Sequence, residues 1–420
     1  MNALLGVSHN ARVFMAFWVF GLVNNVLYVV ILSAAIDLVG PEAPKAIVLL
    51  ADVLPSFLIK LACPFFIQRI PYPVRIASLI ALSSVGILTI AFSSTVVLRL
   101  AGVVLASLSS GLGETSFLAL THFYEDWSLP GFSSGTGGAG LVGSFAFLVM
   151  TTWIGLSVRT SLIVFSAVPF SFWATYALVL PPATAKYELL NPDSESDGEL
   201  TGRSDESLGP SHVEELANKY NAAPMELPKS RKELIDSMRV TLNRIKPLFV
   251  PFMLPLALVY LAEYLINQGI SPTLLFPLEE MPFSRYRDAY VTYGTLYQLG
   301  VLISRSSSPF FRVRKIYYPS ILQAVNTFIC ILQSLFVIIP NIYILFLLMF
   351  YEGLLGGLAY VNTYLLVTET VPLHEREFAL GAVGMSDSAG VVMSGIISLW
   401  LEKSLCRYQK STGRPWCDYE

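Results

Sequence analysis

Long apolar stretches alternate with short polar connections along the whole chain. Apolar runs of about 20 residues can cross the hydrocarbon core of a bilayer as α-helices, and these runs lack the strict alternation of a membrane β-strand. Eleven spans are predicted, at residues 12–34, 46–67, 74–93, 97–121, 136–157, 160–181, 247–270, 287–305, 316–339, 341–367 and 377–401. The pattern therefore predicts an all-α polytopic membrane protein.

One polar segment, residues 182–246, divides the spans into two unequal groups. An N-terminal half of six spans (1–181) precedes it, and a C-terminal half of five spans (247–402) and a short tail (403–420) follow. The first part of the segment is acidic and poor in apolar residues, which predicts a disordered cytosolic linker. Near 230–246 apolar residues recur on one helical face among basic ones, which predicts an amphipathic helix on the cytosolic leaflet.

Glycine-rich segments recur at corresponding places in the two halves. GLGETSFLAL in the fourth span parallels YEGLLGGLAY in the tenth, and GTGGAGLVGS in the fifth parallels GAVGMSDSAG in the eleventh. Parallel repeats of this kind are typical of the major facilitator superfamily, whose substrate site lies between the halves near the midplane. We therefore expect two pseudo-symmetric, major-facilitator-like halves, although eleven spans are one short of that plan.

Composition agrees with lipid as the solvent of this chain. Hydrophobic residues make up 54% and charged residues 14% of it, and the mean hydropathy is +0.61. A net charge of −3 argues against a nucleic-acid partner.

With a cytosolic N-terminus, the cytosolic segments hold 17 of the 27 basic residues, as the positive-inside rule requires. Cys406 and Cys417 flank the tail and pair only if it faces an oxidising lumen, which the sequence leaves open.

Five carboxylates lie well inside the predicted spans, away from the first residues of each span. A charge at this depth costs several kcal/mol unless it is paired, protonated or facing water, so they indicate a polar pathway between helices. They are Asp52, Glu114, Glu263, Glu352 and Asp387. Against them stands a single lysine inside a span, Lys60, while other basic groups such as Arg99, Arg159 and Arg305 are expected at span ends. This balance favours protons or a cationic substrate over a phosphate-bearing one.

Polar residues also interrupt the first and seventh spans, which correspond under the repeat. Asn24 and Asn25 lie in the first span, and Glu263 and Asn267 lie one turn apart on one face of the seventh. If they meet, they can bind an ammonium group, a guanidinium group or a proton; the alternative is that they simply bridge helices.

The second span leaves a similar choice open. Asp52 and Lys60 lie eight residues apart on either side of Pro55. They either face a cavity or form an internal ion pair. Asp387, flanked by two serines, can be satisfied by their hydroxyls.

Enzyme motifs are weak in this chain. Residues 131–135 match the G-x-S-x-G pattern, but no strand precedes them. The four histidines stand alone, and no Cys or His spacing matches a metal site. We expect no enzymatic activity, no metal and no cofactor.

Several segments together resemble the battenin family of lysosomal and vacuolar membrane proteins. The matching stretches are FWVFGLVNNVLYVVILSAA, GLGETSFLALTHFY, WSLPGFSSGTGGAGLVGS, LVYLAEYLINQG, GVLISRSSSPFFRVRK, YEGLLGGLAYVNT and HEREFALGAVGMSDSAG. They occur in both halves and cover most of them, and the short termini are similar to those of fungal members.

This resemblance implies a multi-pass protein of the vacuolar membrane with a fold related to the major facilitator superfamily. Fungal members are associated with vacuolar pH homeostasis and basic amino-acid transport, chiefly of arginine, and animal members with clearance of glycerophosphodiesters. Glu263 and Arg305 fall in family motifs and are expected to be functionally important. Tyr187 and Leu190 fit a Y-x-x-Φ sorting signal.

Two alternatives to a proton-coupled arginine transporter stay open. One is glycerophosphodiester export, which requires arginine or lysine side chains along the cavity. The other is a membrane adaptor that regulates trafficking or the proton pump through partners of the cytosolic linker. The lipid bilayer is the common partner of all three.

Neutralising Glu263 tests the polar pathway directly. We expect the E263Q variant to lose transport while its amount in the membrane stays normal, because the substitution removes a charge and preserves shape. Uptake by E263Q vesicles, normalised to the amount of protein, measures this. Normal uptake would remove Glu263 from the mechanism.

Overall fold

The computed structural model describes residues 8–34, 46–124, 127–181, 231–283, 286–414 and 417, and the regular structure in these ranges is helical. The N-terminal half contains α1 His9–Ser33, α2 Ala46–Ala62, α3 Tyr72–Phe92, α4 Val96–Leu120, α5 Ser128–Leu148, α6 Val158–Phe165 and α7 Phe170–Ala174. The C-terminal half contains α8 Arg231–Leu248, α9 Leu254–Tyr264, α10 Tyr286–Ser306, α11 Tyr317–Phe336, α12 Ile342–Thr370, α13 Leu373–Val383 and α14 Met385–Ser411. Tyr187 and Leu190 lie outside the described residues, as does the linker up to residue 230.

Every predicted span coincides with a helix or a short series of helices. Nine of the described helical segments are long and apolar enough to cross a membrane. The two other predicted spans correspond to α2, which has 17 residues and continues into the single turn Cys63–Phe65, and to α10, which is less apolar. The predicted all-α polytopic class is therefore confirmed.

Two elements extend beyond their predicted boundaries. Together α13 and α14 run over 39 residues, about 58 Å at 1.5 Å per residue, which exceeds the hydrocarbon thickness. The amphipathic helix expected near 230–246 is present as α8 and runs on through the π-helical turn Phe249–Met253 into α9. Its placement on the leaflet surface stays a prediction.

Glycine contacts show the repeat in the packing of the helices. In the N-terminal half Gly135 of α5 lies against the carbonyl of Trp18 in α1, so that a Cβ there would overlap backbone. In the C-terminal half Gly390 of α14 lies in the same way against Ala257 of α9. These glycines let helix backbones approach closely, which explains the glycine-rich segments by packing. Two further crossings of this kind are Gly111 with Ser56 and Gly353 with Tyr297.

The halves share an apolar core at one end of the bundle only. We call this the linker end, because α7 leads to it and α8 starts from it. A single buried cluster there joins Phe17 and Phe117 of the N-terminal half to Tyr364 and Phe378 of the C-terminal half. At the far end each half has a separate core, around Ile31 and around Ile270. The halves are therefore closed against each other at the linker end, which the basic residues assign to the cytosol.

The tail folds back on the far end of the C-terminal half. The Gln409 amide donates to the carbonyls of Thr273 and Ser334, at 2.8 Å each. Cys406 and Cys417 form a disulfide with their Cα atoms 5.7 Å apart. A disulfide forms in an oxidising compartment, so this pairing favours the lumenal side for the tail, which the sequence left open.

Counting thiols tests this disulfide. Denatured, unreduced protein should expose two alkylatable thiols of the four cysteines, because Cys63 and Cys330 are free, and four after reduction. The C406S/C417S variant should unfold more easily, by about 3 kcal/mol for a short closed loop. Mass spectrometry after alkylation gives the count, with C63S as the control that loses one thiol and keeps the bond. Four reactive thiols without reductant would contradict the pairing.

Candidate functional site

Three charged side chains from both halves meet in the middle of the bundle. The Lys60 ammonium of α2 lies 2.5 Å from Glu114 Oε2 of α4 and 3.2 Å from Asp387 Oδ1 of α14. It also donates to the Ser388 hydroxyl at 2.9 Å. We call Lys60, Glu114 and Asp387 the ion cluster. Since α14 belongs to the C-terminal half and the other two helices to the N-terminal half, the cluster joins the halves.

The two carboxylates of the ion cluster have further donors. The Tyr360 hydroxyl of α12 donates to Glu114 Oε1 at 3.1 Å. Asp387 accepts from the hydroxyl of Ser388 at 2.9 Å and from its backbone N–H. The prediction that neighbouring hydroxyls satisfy Asp387 is thus confirmed for Ser388, whereas Ser386 donates to a backbone carbonyl. Buried ions are stable only with this kind of complete pairing.

Arg305 lies beside the ion cluster. Arg305 lies in the last turn of α10, as predicted for a span-end charge, and its side chain lies between the halves. It donates to Thr136 Oγ1 of α5 at 2.6 Å and to the Tyr260 hydroxyl of α9 at 2.8 Å, and it stacks 4.0 Å above the Tyr360 ring. Among the described residues no carboxylate lies within ion-pair distance of its guanidinium. Within the described part of the chain, this cation is therefore held by neutral side chains, while Glu114 and Glu263 act on it from beyond ion-pair distance.

Glu263 and Glu352 form a second acidic group, inside the C-terminal half. Glu263 is 1% and Glu352 0% exposed. Glu263 accepts from the Tyr297 hydroxyl of α10 and packs against Gly356, where a side chain would overlap it. The Asn267 amide donates to Glu352 Oε1 at 2.8 Å and to the Glu263 carbonyl at 3.1 Å. One oxygen of each carboxyl, Oε2, has no hydrogen-bond partner.

The predicted meeting of the asparagines of span one with Glu263 and Asn267 is not present as a direct contact. Asn24 donates to the Ser110 carbonyl of α4, and Asn25 to the Gly21 carbonyl of its own helix, each at 3.1 Å. The two spans interact instead through Tyr28 and Tyr264, whose phenol groups lie within electrostatic range of each other. Both tyrosines lie within apolar spans, and nothing in their local sequence pattern distinguished them.

Asp52 is separate from both acidic groups. The alternative of an internal pair between Asp52 and Lys60 is wrong, since Lys60 is bound to Glu114 and Asp387. Asp52 is 3% exposed and its Oδ2 has no hydrogen-bond partner. It borders a small cavity that Asn24 and other polar side chains also line.

A polar contact at the linker end was not predicted from the sequence. The Tyr72 hydroxyl of α3 donates to Glu377 Oε1 of α13 at 2.9 Å, and an Arg75 Nη atom lies 4.0 Å from the same oxygen. The Arg75 guanidinium also stacks 4.1 Å from the Tyr72 ring. Together with the shared apolar core, this contact closes the linker end between the halves.

The geometry can be compared with known proteins. Residues 15–408 match the family model described as CLN3 protein. Protein BTN1 of Yarrowia lipolytica is 56% identical over 408 residues, covering 97% of this chain and 98% of that protein. Protein btn-1 of Neurospora crassa is 50% identical (98% and 92% covered), and Protein BTN1 of Candida albicans is 49% identical (98% of each). The chain belongs to the CLN3 family. The resemblance to battenin proteins is thereby confirmed.

Solved structures place this CLN3-family chain on a known fold. The human organic anion transporter MFSD10 (TETRAN) aligns with a TM-score of 0.58 at 14% identity, covering 97% of this chain and 98% of that one. The major facilitator superfamily transporter FucP in its outward conformation aligns with a TM-score of 0.51 at 13% identity, covering 97% and 93%. The predicted major-facilitator-like architecture is confirmed. In that architecture the substrate site lies between the halves, and in this chain the ion cluster and Arg305 lie at the boundary of the halves.

Removing the lysine tests the ion cluster. K60M leaves two buried carboxylates without their shared cation, so we expect a loss of about 3–5 kcal/mol of stability, seen as a lower thermal midpoint in detergent. Adding E114Q and D387N should restore most of the loss, because no uncompensated charge then remains. K403M, at an exposed lysine, is the matched control. A K60M midpoint equal to that of K403M would contradict the buried pairing.

Proposed function

We propose that this protein is a proton-coupled transporter of the vacuolar membrane that moves basic amino acids, arginine first, by alternating access of its two halves. The observation that carries the proposal is the ion cluster at the seam, with Arg305 beside it. The vacuolar location and a contribution to vacuolar pH homeostasis rest on membership of the CLN3 family.

The charges at the seam match the two ends of a basic amino acid. Arg305 has no carboxylate partner among the described residues and suits the α-carboxylate, which a guanidinium binds through two parallel hydrogen bonds. Glu114 and Asp387 now hold the ammonium of Lys60 and suit a substrate guanidinium in its place. Tyr360 connects the two positions, because its hydroxyl reaches Glu114 and its ring lies under Arg305.

Exchange of cations at the ion cluster provides a reason for the halves to move. Lys60 bridges Glu114 and Asp387 across the seam. A substrate cation that replaces the lysine changes the strength of the contact between the halves. A ligand shifts a conformational equilibrium only when it binds one conformation more strongly than the other. The closed linker end, with Tyr72 bound to Glu377, then corresponds to access from the far end.

Glycerophosphodiester transport is the second candidate, and Arg305 favours it. A phosphodiester is a single anion that a guanidinium recognises as it does a carboxylate. Two cations, Lys60 and Arg305, lie at the seam, and basic side chains near the substrate are what this alternative needs. The adaptor alternative depends on the linker, and no contact of the described residues favours it.

Parallel uptake of two substrates distinguishes these functions. Proteoliposomes with an imposed pH gradient receive radiolabelled arginine or glycerophosphocholine. We expect saturable arginine uptake that collapses with the gradient, and at least tenfold weaker apparent affinity in R305Q, because a charge-assisted hydrogen-bond pair is worth about 1.5–3 kcal/mol. R312Q is the matched control, since Arg312 pairs with Glu369 at 2.5 Å while 44% of its side chain is exposed.

Other outcomes assign the function elsewhere. Uptake of glycerophosphocholine without arginine would replace the first proposal by the second. No uptake of either, together with loss of cellular function on deleting residues 190–228, would favour the adaptor. Arginine uptake unaffected by R305Q would remove Arg305 from the substrate site.

A further inference from the structure

Asp52 is a buried acid that the substrate site does not use. It precedes Lys60 by eight residues on α2 and therefore lies about 12 Å nearer to the far end. The residue is 3% exposed, and its Oδ2 atom has no hydrogen-bond partner. Its helix is bound nearby through the Ser107 hydroxyl, which donates to the Asp52 carbonyl and not to the carboxyl.

The carboxyl of Asp52 borders a cavity of the size of a water molecule. Its water-accessible volume is about 10 Å³, enough for roughly one water. The polar residues that line it with Asp52 are Asn24, Tyr28, Ser83 and Ser110. A polar lining of this kind supplies the partners that a buried water needs. The cavity is thus a place where a water molecule can stand beside an unpartnered carboxyl oxygen.

No charge from the surrounding helices compensates Asp52. From α1 it is faced by Asn24 and the titratable Tyr28, and from α3, α4 and α7 by Ser83, Ser110 and Phe172. The nearest acids of α4 and α14, Glu114 and Asp387, bind Lys60 instead. Among the described residues no lysine or arginine lies within 4.0 Å of the Asp52 carboxylate. Without a counter-charge, an ionised carboxylate here costs several kcal/mol. Protonation removes this cost, so the free energy of the site depends on whether Asp52 carries a proton.

A contact between the halves begins at the same cavity. Tyr28, which lines it, interacts electrostatically with Tyr264 in the C-terminal half. Tyr264 follows Glu263 and stacks on Tyr260, whose hydroxyl holds Arg305. A change of charge at Asp52 therefore acts on a bridge between the halves and, through neighbouring tyrosines, on the substrate site. Two sites that bias the same moving element are coupled in both directions.

We propose that Asp52 binds the coupling proton, separately from the ion cluster that binds substrate. This inference rests on the proposed function, and it divides that function between two sites. A hydronium ion from the far side gives one proton to the carboxylate through the cavity water, which leaves water and a neutral carboxyl. The carboxyl returns the proton to water on the other side after the halves have moved. Tyr28 and Tyr264 transmit the change between the halves.

Separating accumulation from exchange tests this division. Wild-type proteoliposomes should both concentrate arginine under a pH gradient and exchange internal for external arginine at equal pH. D52N keeps the shape of the side chain but cannot cycle a proton. We expect it to exchange within about twofold of the wild type and to lose concentrative uptake at least tenfold. S78A, on the same helix α3 but outside the cavity, removes a hydroxyl that donates to the Val74 carbonyl and should retain both activities.

A second measurement needs no substrate. Spin labels at the exposed far-end positions 153 and 338, introduced as W153C and I338C in a C63S/C330S background, report the distance between the halves. We expect this distance to change between pH 5 and pH 8 with Asp52 present and to stay constant in D52N. Both variants are compared at equal thermal stability, which identifies a misfolded D52N protein, and D52E is expected to restore the change.

The outcomes separate this inference from the proposed function. Concentrative uptake by D52N equal to that of the wild type, or a pH response of the label distance that persists in D52N, would overturn the role of Asp52. Loss of exchange together with accumulation in folded D52N would also overturn it, since Asp52 would then serve substrate binding. A wild type that transports no arginine defeats the proposed function, while the label distances still decide on the proton site.

Discussion

The arrangement of this protein depends on one lysine that three helices keep in a low-dielectric interior. Lys60 would be costly at this depth alone, and so would Glu114 and Asp387. Together they are stable, because the 2.5 Å and 3.2 Å contacts neutralise charge and Tyr360 and Ser388 fill the remaining hydrogen-bonding positions. The helix that contributes Asp387 belongs to the opposite half. The halves therefore cannot separate at the seam without either exposing these charges to water or supplying another cation.

Because of this constraint, acids that look alike in the sequence have different surroundings in the structure. Glu114 reaches the seam, where a cation can be exchanged. Glu352, its expected counterpart in the tenth span, instead points within the C-terminal half, where Asn267 holds it. Gly356 leaves the space in which Glu263 lies. The pseudo-symmetry thus governs how helices pack, whereas the charged side chains break it.

The sequence predicted what depends on local pattern. The length and apolarity of the spans predicted the class, and repeated glycines predicted related halves, because both are visible within single segments. It also identified the buried carboxylates, since each is costly wherever it points. The sequence did not predict which charged groups form ion pairs. Lys60 and Asp387 are 327 residues apart, and Asp52, which is nearer in sequence, was an equally reasonable partner for Lys60. The position of Arg305 at a span end was predicted, but the contact of its guanidinium with Thr136 was not, because Thr136 comes from a distant segment.

Separate places for substrate and proton follow from the same electrostatics. If the coupling proton bound to Glu114 or Asp387, it would weaken the hold on Lys60 and on a substrate cation alike, so proton and substrate would compete for one site. Asp52 avoids that competition because it lies about 12 Å from Lys60 along α2 and faces Tyr28 instead. Its connection to the C-terminal half passes through the electrostatic interaction of two neutral phenols, Tyr28 and Tyr264, and not through an ion pair. A proton there can change the balance between the halves while the ion cluster remains free to discriminate between substrates.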